Sequence, residues 1–193
     1  MENIRIQLPK KLYNKIEADV TELYIMLDLV PPLKPGEIAR KLGFVVYKLS
    51  KLGCTIDEVC AAVGVNKTRN EGLSFFSPDI DTYVIVVNDV DIKNKERQDF
   101  TIMHEIGHIR MGHKVDSMLA EMIANYYAAY ALAPSVLIYD YQCEDFGMLI
   151  EVFNISEESA YYSFDRFVKW CSISGYKPYE IKLRKHIRAK RNC

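Results

Sequence analysis

The sequence is poor in the features that mark secreted, membrane-spanning and fibrous proteins. Its five cysteines are odd in number and form no Cys-x-x-Cys pair, so they favour neither a disulfide framework nor a cysteine zinc site. No apolar run approaches the roughly 18 residues of a membrane-spanning helix, and the N-terminal segment lacks a signal-peptide pattern. With 9 Gly and 7 Pro in 193 residues, a collagen-like or low-complexity chain is excluded. These absences predict a globular cytoplasmic protein with reduced thiols and no membrane segment.

Excess charge of either sign is also absent. The 25 Lys and Arg residues nearly balance the 26 Asp and Glu residues, which gives a formal net charge of -1. Such a balance argues against a protein that binds nucleic acid through a bulk positive field. The charge is nevertheless uneven, because residues 177–193 hold seven basic residues and one acidic residue. This basic tail could contact the acidic body, a protein partner or nucleic acid, and its sequence does not distinguish them.

Hydrophobic periodicity predicts a single α+β domain that spans residues 1–193, with a core at about 35–170. The N-terminal helix 8–29 and the basic tail 177–193 are predicted as appendages of this core. Further helices are predicted over residues 36–42, 55–63, 96–112, 117–133 and 156–170, and strands over 44–49, 73–76 and 82–88. The last two strands flank a turn-rich segment, which predicts an antiparallel hairpin. Apolar residues on both faces predict that strand 82–88 lies inside the sheet.

The motif that carries chemistry is His-Glu-Ile-Gly-His at residues 104–108. On an α-helix, this spacing places His104 and His108 one turn apart on the same face, where two imidazoles can bind one metal ion. Glu105 flanks that face. A catalytic zinc site needs an incomplete set of protein ligands, a bound water and a carboxylate that takes a proton from the water. The pattern therefore predicts two zinc ligands and a general base.

A third ligand must come from another part of the chain, and Glu121 is the best candidate. It lies in the predicted helix at residues 118–133, in which only Glu121 and Asn125 fall outside the hydrophobic set. A carboxylate on such an apolar helix is costly unless it is paired or binds a metal. Asn125 follows one turn later, where it is placed to hydrogen-bond a metal ligand. The alternative is an ion pair between Glu121 and Arg110 or Lys114.

His113 is a rival for the third ligand. Enzymes that bind zinc through three histidines place the third one about ten positions after the first, whereas His113 comes nine positions after His104. A continuous helix would put His113 on the opposite side from His104. If the helix ends at Gly112, His113 could instead contact the oxyanion of a substrate.

Three segments together resemble the ImmA/IrrE family of metallopeptidases. They are ERQDFTIMHEIGHIRMGH at residues 96–113, the hairpin SFFSPDIDTYVIVVND before it, and AEMIANYYAAYALAP at residues 120–134. The similarity extends from GEIARKLGFVVYKL to FNISEESAYYSFDRF and so covers most of the chain. It implies a cytoplasmic protein with a zincin-like α+β fold. In this fold a small antiparallel or mixed sheet packs on the HExxH helix among surrounding helices.

The resemblance also implies roles for single residues. The two zinc ligands and the catalytic base of the family fall on His104, His108 and Glu105. Glu121 and Asn125 match the first acidic residue and the Asn of the family pattern E-x-E-A-N. Ile123 stands at the second acidic position, so a ligand there would be absent from this chain. The spacing of four residues between Glu121 and Asn125 is that of other HExxH peptidases with a Glu ligand, which favours Glu121.

Members of this family are linked to the cleavage of helix-turn-helix repressors, either on mobile elements or in damage responses. The resemblance therefore implies a zinc-dependent endopeptidase that cleaves a specific cytoplasmic protein such as a repressor. For that mechanism, strand 82–88 could pair with an extended substrate if it borders the cleft. His113, Tyr126 and Tyr127 are candidates for contacts with the oxyanion or the substrate.

Two other classes of function are open. A zinc-binding interaction module could engage a repressor without cutting it, and Ile123 at an acidic position is the feature that favours this reading. Direct DNA binding is suggested by DEVCAAVGVNKTRN at residues 57–70, whose apolar and Gly spacing is typical of the start of a helix-turn-helix. Its second helix would be too short, because Glu71 and Gly72 lead directly into a predicted strand. Nucleic acid is therefore not the expected partner.

Overall fold

Three short strands form a mixed sheet that is surrounded by helices. The computed structural model describes residues 7–65, 70–115, 117–173 and 175–191. The helices are α1 (Lys10–Met26), α2 (Pro35–Lys41), α3 (Ile56–Val63), α4 (Lys95–Met111), α5 (Met118–Leu132), α6 (Ser135–Asp140), α7 (Phe146–Phe153), α8 (Glu157–Cys171) and α9 (Pro178–Arg191). The strands are β1 (Val45–Lys48), β2 (Gly72–Ser77) and β3 (Thr82–Val87). This architecture confirms the predicted α+β fold, and no helix in the described ranges is long and apolar enough to span a bilayer.

The sheet has the order β1-β3-β2, with β1 parallel and β2 antiparallel to β3. Ile85 and Val87 of β3 belong to the main hydrophobic cluster, which contains most of the buried helix residues. Val84 and Val86 face the other way and pack in a second cluster with residues of α3. β3 is thus the central strand, as its two apolar faces predict. Because β1 and β2 occupy both of its edges, the expectation that strand 82–88 pairs with a substrate is wrong.

Helices α4 and α5 pack directly against each other. α4 begins after Asn94, whose side chain accepts a backbone hydrogen bond from the first turn, and ends at Gly112, where φ is 71°. Gly107 permits the close approach of the two helices, since a Cβ at this position would lie only 3.0 Å from Cβ of Tyr127. The HExxH segment is therefore held against the apolar helix that carries Glu121.

The N-terminal helix α1 is tied to α4 and α5 by a polar cluster. Asp19 accepts two hydrogen bonds from the Arg110 guanidinium of α4, at 2.7 and 2.8 Å. It also accepts one from the Tyr127 hydroxyl of α5 at 2.9 Å. Val20 and Leu23 of α1 are completely buried in the main hydrophobic cluster. Helix α1 therefore packs into the body of the protein.

Replacing Asp19 by Ala is expected to lower the free energy of unfolding by about 2 kcal/mol. The substitution leaves Arg110 and Tyr127 without their shared acceptor, at a place where the Arg110 side chain is only 18% exposed. Urea denaturation measures the loss. Asp165→Ala is the control, because Asp165 pairs with Lys169 at the surface and such pairs contribute at most about 1 kcal/mol. Equal transition midpoints for the two variants would contradict the structural role of the cluster.

The basic tail forms helix α9, which packs on the body through apolar and ionic contacts. Leu183 and Ile187 are buried in the main hydrophobic cluster. Basic residues of the tail pair with acidic residues elsewhere in the chain: Lys177 with Glu17 at 2.7 Å, Arg184 with Asp140 at 2.6 Å, and Lys190 with Asp28 at 2.5 Å. Of the three partners that the sequence leaves open for the tail, the structure therefore shows the acidic body.

The helix-turn-helix candidate at residues 57–70 contains one observed helix. This helix, α3, is capped at its start by Thr55 and ends at Gly64. Its apolar face packs on the sheet. Residues 66–69 lie outside the described residues, and β2 begins at Gly72. The structure thus offers no support for DNA recognition by this segment.

Candidate metal centre

Two imidazoles converge on one face of α4. The Nε2 atoms of His104 and His108 are 3.0 Å apart, and their rings meet edge to face with centroids separated by 4.7 Å. The spacing of one helical turn produces this arrangement. His104 is 7% exposed, because this part of α4 is covered by α5 and the sheet. Local helix geometry therefore forms the pair, and packing shields it from bulk solvent.

Glu121 reaches both imidazoles from the first turn of α5. Its Oε1 lies 3.1 Å from Nε2 of His108, and its Oε2 lies 3.5 Å from Nε2 of His104. Hydrogen bonds with the two imidazoles hold the pKa of the Glu121 carboxyl well below its usual range. Arg110, which the sequence suggests as an alternative partner, pairs with Asp19 instead. The structure thus brings the three candidate ligands together.

Ile123 occupies a different environment from Glu121. It is 8% exposed and packs in the main hydrophobic cluster. On a helix, residues two positions apart point to nearly opposite sides. A carboxylate at position 123 would therefore not join Glu121 beside the histidines, and the presence of Ile123 removes no ligand from this cluster.

The three donors suit a transition-metal ion such as zinc in both kind and spacing. One ligand atom from each of His104, His108 and Glu121 lies within 4.8 Å of the others. The contacts of 3.0, 3.1 and 3.5 Å compare with an edge of about 3.3 Å for a tetrahedron with metal–ligand bonds of about 2.0–2.1 Å. Two histidines and a glutamate are a known ligand set of catalytic zinc sites, which keep a fourth position for water. The residues therefore fit a catalytic metal.

Glu105 lies beside this cluster and next to a small cavity. It is 2% exposed, and its Oε2 accepts a hydrogen bond of 2.7 Å from the Ser74 hydroxyl of β2. The cavity has a volume of about 10 Å³ and is bounded by Gly72, His104, Glu105 and Glu121 among others. A cavity of this size holds about one water molecule. Glu105, the candidate metal cluster and a water-sized space are therefore adjacent.

Gly72 allows β2 to approach α4 closely. A Cβ at this position would lie 2.6 Å from Cγ2 of Thr101 and 2.9 Å from the backbone oxygen of Val86. Ser74 follows two residues later on the same face of the strand, and this places its hydroxyl against Glu105. The sequence motifs do not indicate Ser74. The signal that points to it is a pair of small residues, Gly72 and Ser74, on one face of the strand.

Replacing Ser74 by Ala should lower kcat about tenfold in any reaction that uses Glu105 as a base, and should leave the metal content unchanged. The lost hydrogen bond to a carboxylate contributes about 1.5 kcal/mol to holding Glu105 in place. Ser77→Ala is a matched control on the same strand, because Ser77 lies at the far end of β2. Steady-state kinetics of such a reaction provide the comparison. If the two variants have the same kcat, Ser74 does not position the base.

His113 contacts the side of His108 that faces away from Glu121. Because the chain turns at Gly112, Nδ1 of His113 lies 3.0 Å from Nδ1 of His108, whereas Nε2 of His108 faces Glu121. Burial and the neighbouring His108 lower the pKa of His113 to about 4. His113 also does not bound the cavity beside Glu105. Its position suits a partner that orients the His108 ring, rather than a third ligand or an oxyanion contact.

The two tyrosines suggested on α5 point away from the cluster. Tyr127 is completely buried, its hydroxyl donates to Asp19, and burial raises the pKa of its phenol. The Tyr126 hydroxyl donates to Glu17 at 2.6 Å. Asn125 lines a large groove beside the centre. The positions of the two tyrosines do not support the oxyanion contacts that the sequence suggests for them, and the hydrogen bond from Asn125 to a metal ligand stays a prediction.

Comparison with known proteins identifies the family. The model of the IrrE N-terminal-like domain, of the M78 peptidases, matches residues 41–164. No curated protein and no solved structure matches the chain. The matched segment includes the whole sheet, α4 and α5, and therefore the His104, His108 and Glu121 cluster together with Glu105. Since this match covers more than half of the chain, the protein belongs to the IrrE N-terminal-like family of M78 peptidases.

Proposed function

We propose that this protein is a zinc-dependent endopeptidase that cleaves a specific cytoplasmic protein. The observation that carries the proposal is the convergence of His104, His108 and Glu121, with Glu105 beside a water-sized cavity. Membership in a peptidase family supports a peptide bond as the substrate. The described cysteines are free thiols, which supports a reducing compartment.

The residues of the centre divide the chemistry among them. A zinc ion held by His104, His108 and Glu121 would supply a Lewis acid and a bound water with a pKa of about 7. Glu105 accepts the proton of the attacking water on its carboxylate and later delivers it to the leaving amine. The Ser74 hydroxyl holds Oε2 of Glu105 during both transfers. Because Glu105 is almost completely buried, bulk water does not take its place as the proton acceptor.

The edge strand β2 offers a place for an extended segment of the substrate. One side of β2 pairs with β3, and in the described part of the chain no strand pairs with its other side. A peptide can add to such an edge through main-chain hydrogen bonds. It would then pass Ser74 and the adjacent Glu105. β2 therefore suits the role that the sequence suggests for strand 82–88.

A helix-turn-helix repressor is the proposed substrate. The resemblance to the ImmA/IrrE metallopeptidases supports this choice, because members of that family are linked to repressor cleavage. The protein would then act as an anti-repressor on a mobile element or in a stress response. The alternative is a module that binds a repressor without cutting it. Its main argument is Ile123, but this residue packs in the core and its presence removes no ligand from the cluster.

Metal-dependent cleavage tests the proposal. The purified protein is stripped with a chelator and divided, and one half receives Zn²⁺ before both halves are incubated with repressors encoded near its gene. We expect fragments only in the zinc-loaded half, because Glu105 needs an activated water to deprotonate. Mass spectrometry identifies the cleaved bond. Intact repressor that forms a stable complex with the zinc-loaded protein would instead indicate the non-cleaving module.

A further inference from the structure

A large groove opens next to the metal centre. It has a volume of about 1240 Å³ and lies between α1, α5 and α8. Phe100 lines both this groove and the small cavity beside Glu105. Met122, the residue after Glu121, lines the groove as well. The groove therefore adjoins the place where a peptide bond would be cleaved.

The surface of the groove is largely apolar, and two pairs of its charged side chains form salt bridges with each other. Lys177 pairs with Glu17 at 2.7 Å, and Lys169 pairs with Asp165 at 2.6 Å. Aromatic and aliphatic side chains form much of the remaining wall: Tyr13, Phe100, Met122, Tyr162, Trp170 and Ile173. Tyr162 is 58% exposed. An open apolar wall of this extent favours the docking of apolar side chains.

Two hydrogen-bond donors of the groove have no partner among the described residues. Ser135 is 1% exposed, and its hydroxyl makes no hydrogen bond there. Nε of Arg166 is buried and also lacks a partner, although Nη2 is fixed by the carbonyl oxygens of Ala129 and Ala133. Buried polar groups are rarely left unpaired. An acceptor oxygen that reaches into the wall of the groove would satisfy each of these donors.

Much of the groove is built from parts of the chain outside the family match. The match covers residues 41–164, whereas Tyr13 and Glu17 of α1 and Arg166 and Trp170 of α8 lie beyond it. The metal-binding cluster and Glu105 lie within it. The groove thus joins the part of the chain that carries the candidate metal cluster to a wall that lies partly outside the matched segment. Such a division is expected of a surface that selects the substrate.

We infer that this groove binds a second segment of the polypeptide substrate, one that carries apolar side chains and offers a backbone or carboxylate oxygen to Ser135 and Arg166. The inference rests on the proposed peptidase function and extends it from cleavage to substrate selection. The groove volume exceeds the range of about 300–1,000 Å³ that is typical of small-molecule pockets. This size favours a peptide segment over a metabolite.

Peptide binding to the full chain carrying Glu105→Gln tests the inference without hydrolysis. A phage-displayed library of random peptides is selected on this protein, and fluorescence anisotropy measures the affinities of the enriched peptides. Tyr162→Ala and Ser135→Ala, each added to Glu105→Gln, should weaken binding at least about tenfold. Tyr161→Ala is the matched control, because Tyr161 neighbours Tyr162 on α8, is 63% exposed and does not line the groove.

The outcomes separate the groove from the proposed function. Ser135→Ala should retain the wild-type melting temperature, because it removes a buried hydroxyl without a partner. Equal affinities for the Tyr161→Ala and Tyr162→Ala proteins, or the absence of any enriched peptide, would overturn the groove as a peptide site. Repressor cleavage by the zinc-loaded protein would survive that result. Conversely, if peptides bind through the groove but the zinc-loaded protein cleaves no repressor, the groove is a peptide site and the proposed peptidase function is wrong.

Discussion

Replacing Glu105 by Gln is expected to lower peptide hydrolysis about 10³-fold while the metal content stays unchanged. Gln keeps the size of the side chain and an acceptor for the Ser74 hydroxyl, but it cannot take a proton. No neighbouring group replaces it readily, since Glu105 is 2% exposed and Glu71, which also bounds the cavity, is bound by Arg97 at 2.6 Å. The loss should therefore appear in kcat.

The Glu105→Gln experiment needs activity and metal content measured on the same preparations. Steady-state kinetics give kcat and KM, and elemental mass spectrometry gives the zinc content. Glu96→Gln is the control, because Glu96 lies in the first turn of the same helix and does not bound the cavity. Near wild-type activity in Glu105→Gln would rule out Glu105 as the base. A loss of zinc together with activity would show that Glu105 supports the cluster instead.

Replacing Glu121 by Ala is expected to weaken zinc binding by more than about 100-fold. Loss of a residue that merely supports a ligand already costs about 10–100-fold in metal affinity, and Glu121 would be a ligand itself. Its depressed pKa means that it is ionised at neutral pH, so the substitution also removes a negative charge beside the two histidines. His104 and His108 alone would leave a site with two ligands.

Competition with a chromophoric chelator measures the affinity of the Glu121→Ala protein for zinc. Glu144→Ala is the control, because Glu144 is an exposed carboxylate outside the cluster. An affinity within a few-fold of the wild type would move the third ligand elsewhere. His113→Ala would then be the next variant to test, since His113 is the remaining imidazole next to His108.

The metal-binding cluster could be predicted because its geometry is mostly local. The spacing of His104 and His108 fixes their separation once a helix forms, and the carboxylate of Glu121 stands out on an apolar helix. Ser74 follows no such rule. It meets Glu105 only because β2 packs on α4, and the two residues are separated by 31 positions.

The predictions that the structure contradicts concern residues whose contacts lie far away in the sequence. Tyr126 and Tyr127 come soon after Glu121 on α5. Their hydroxyls, however, donate hydrogen bonds to Glu17 and Asp19, more than 100 positions earlier. The suggested pairing of strand 82–88 with a substrate fails because β1 pairs with it in parallel across a long connection. Helices α6 and α7 are missed because their short apolar runs do not distinguish a helix from a strand.

Because α1 packs against α4 and α5, the part of the chain that folds as a unit differs from the part that matches the family. Residues 41–164 carry the family likeness and every group proposed for the chemistry. A fragment cut at those positions would lose Asp19 and bare the apolar surface that Val20 and Leu23 cover. We therefore expect the smallest fragment that folds alone to be longer than residues 41–164, the segment that matches the family.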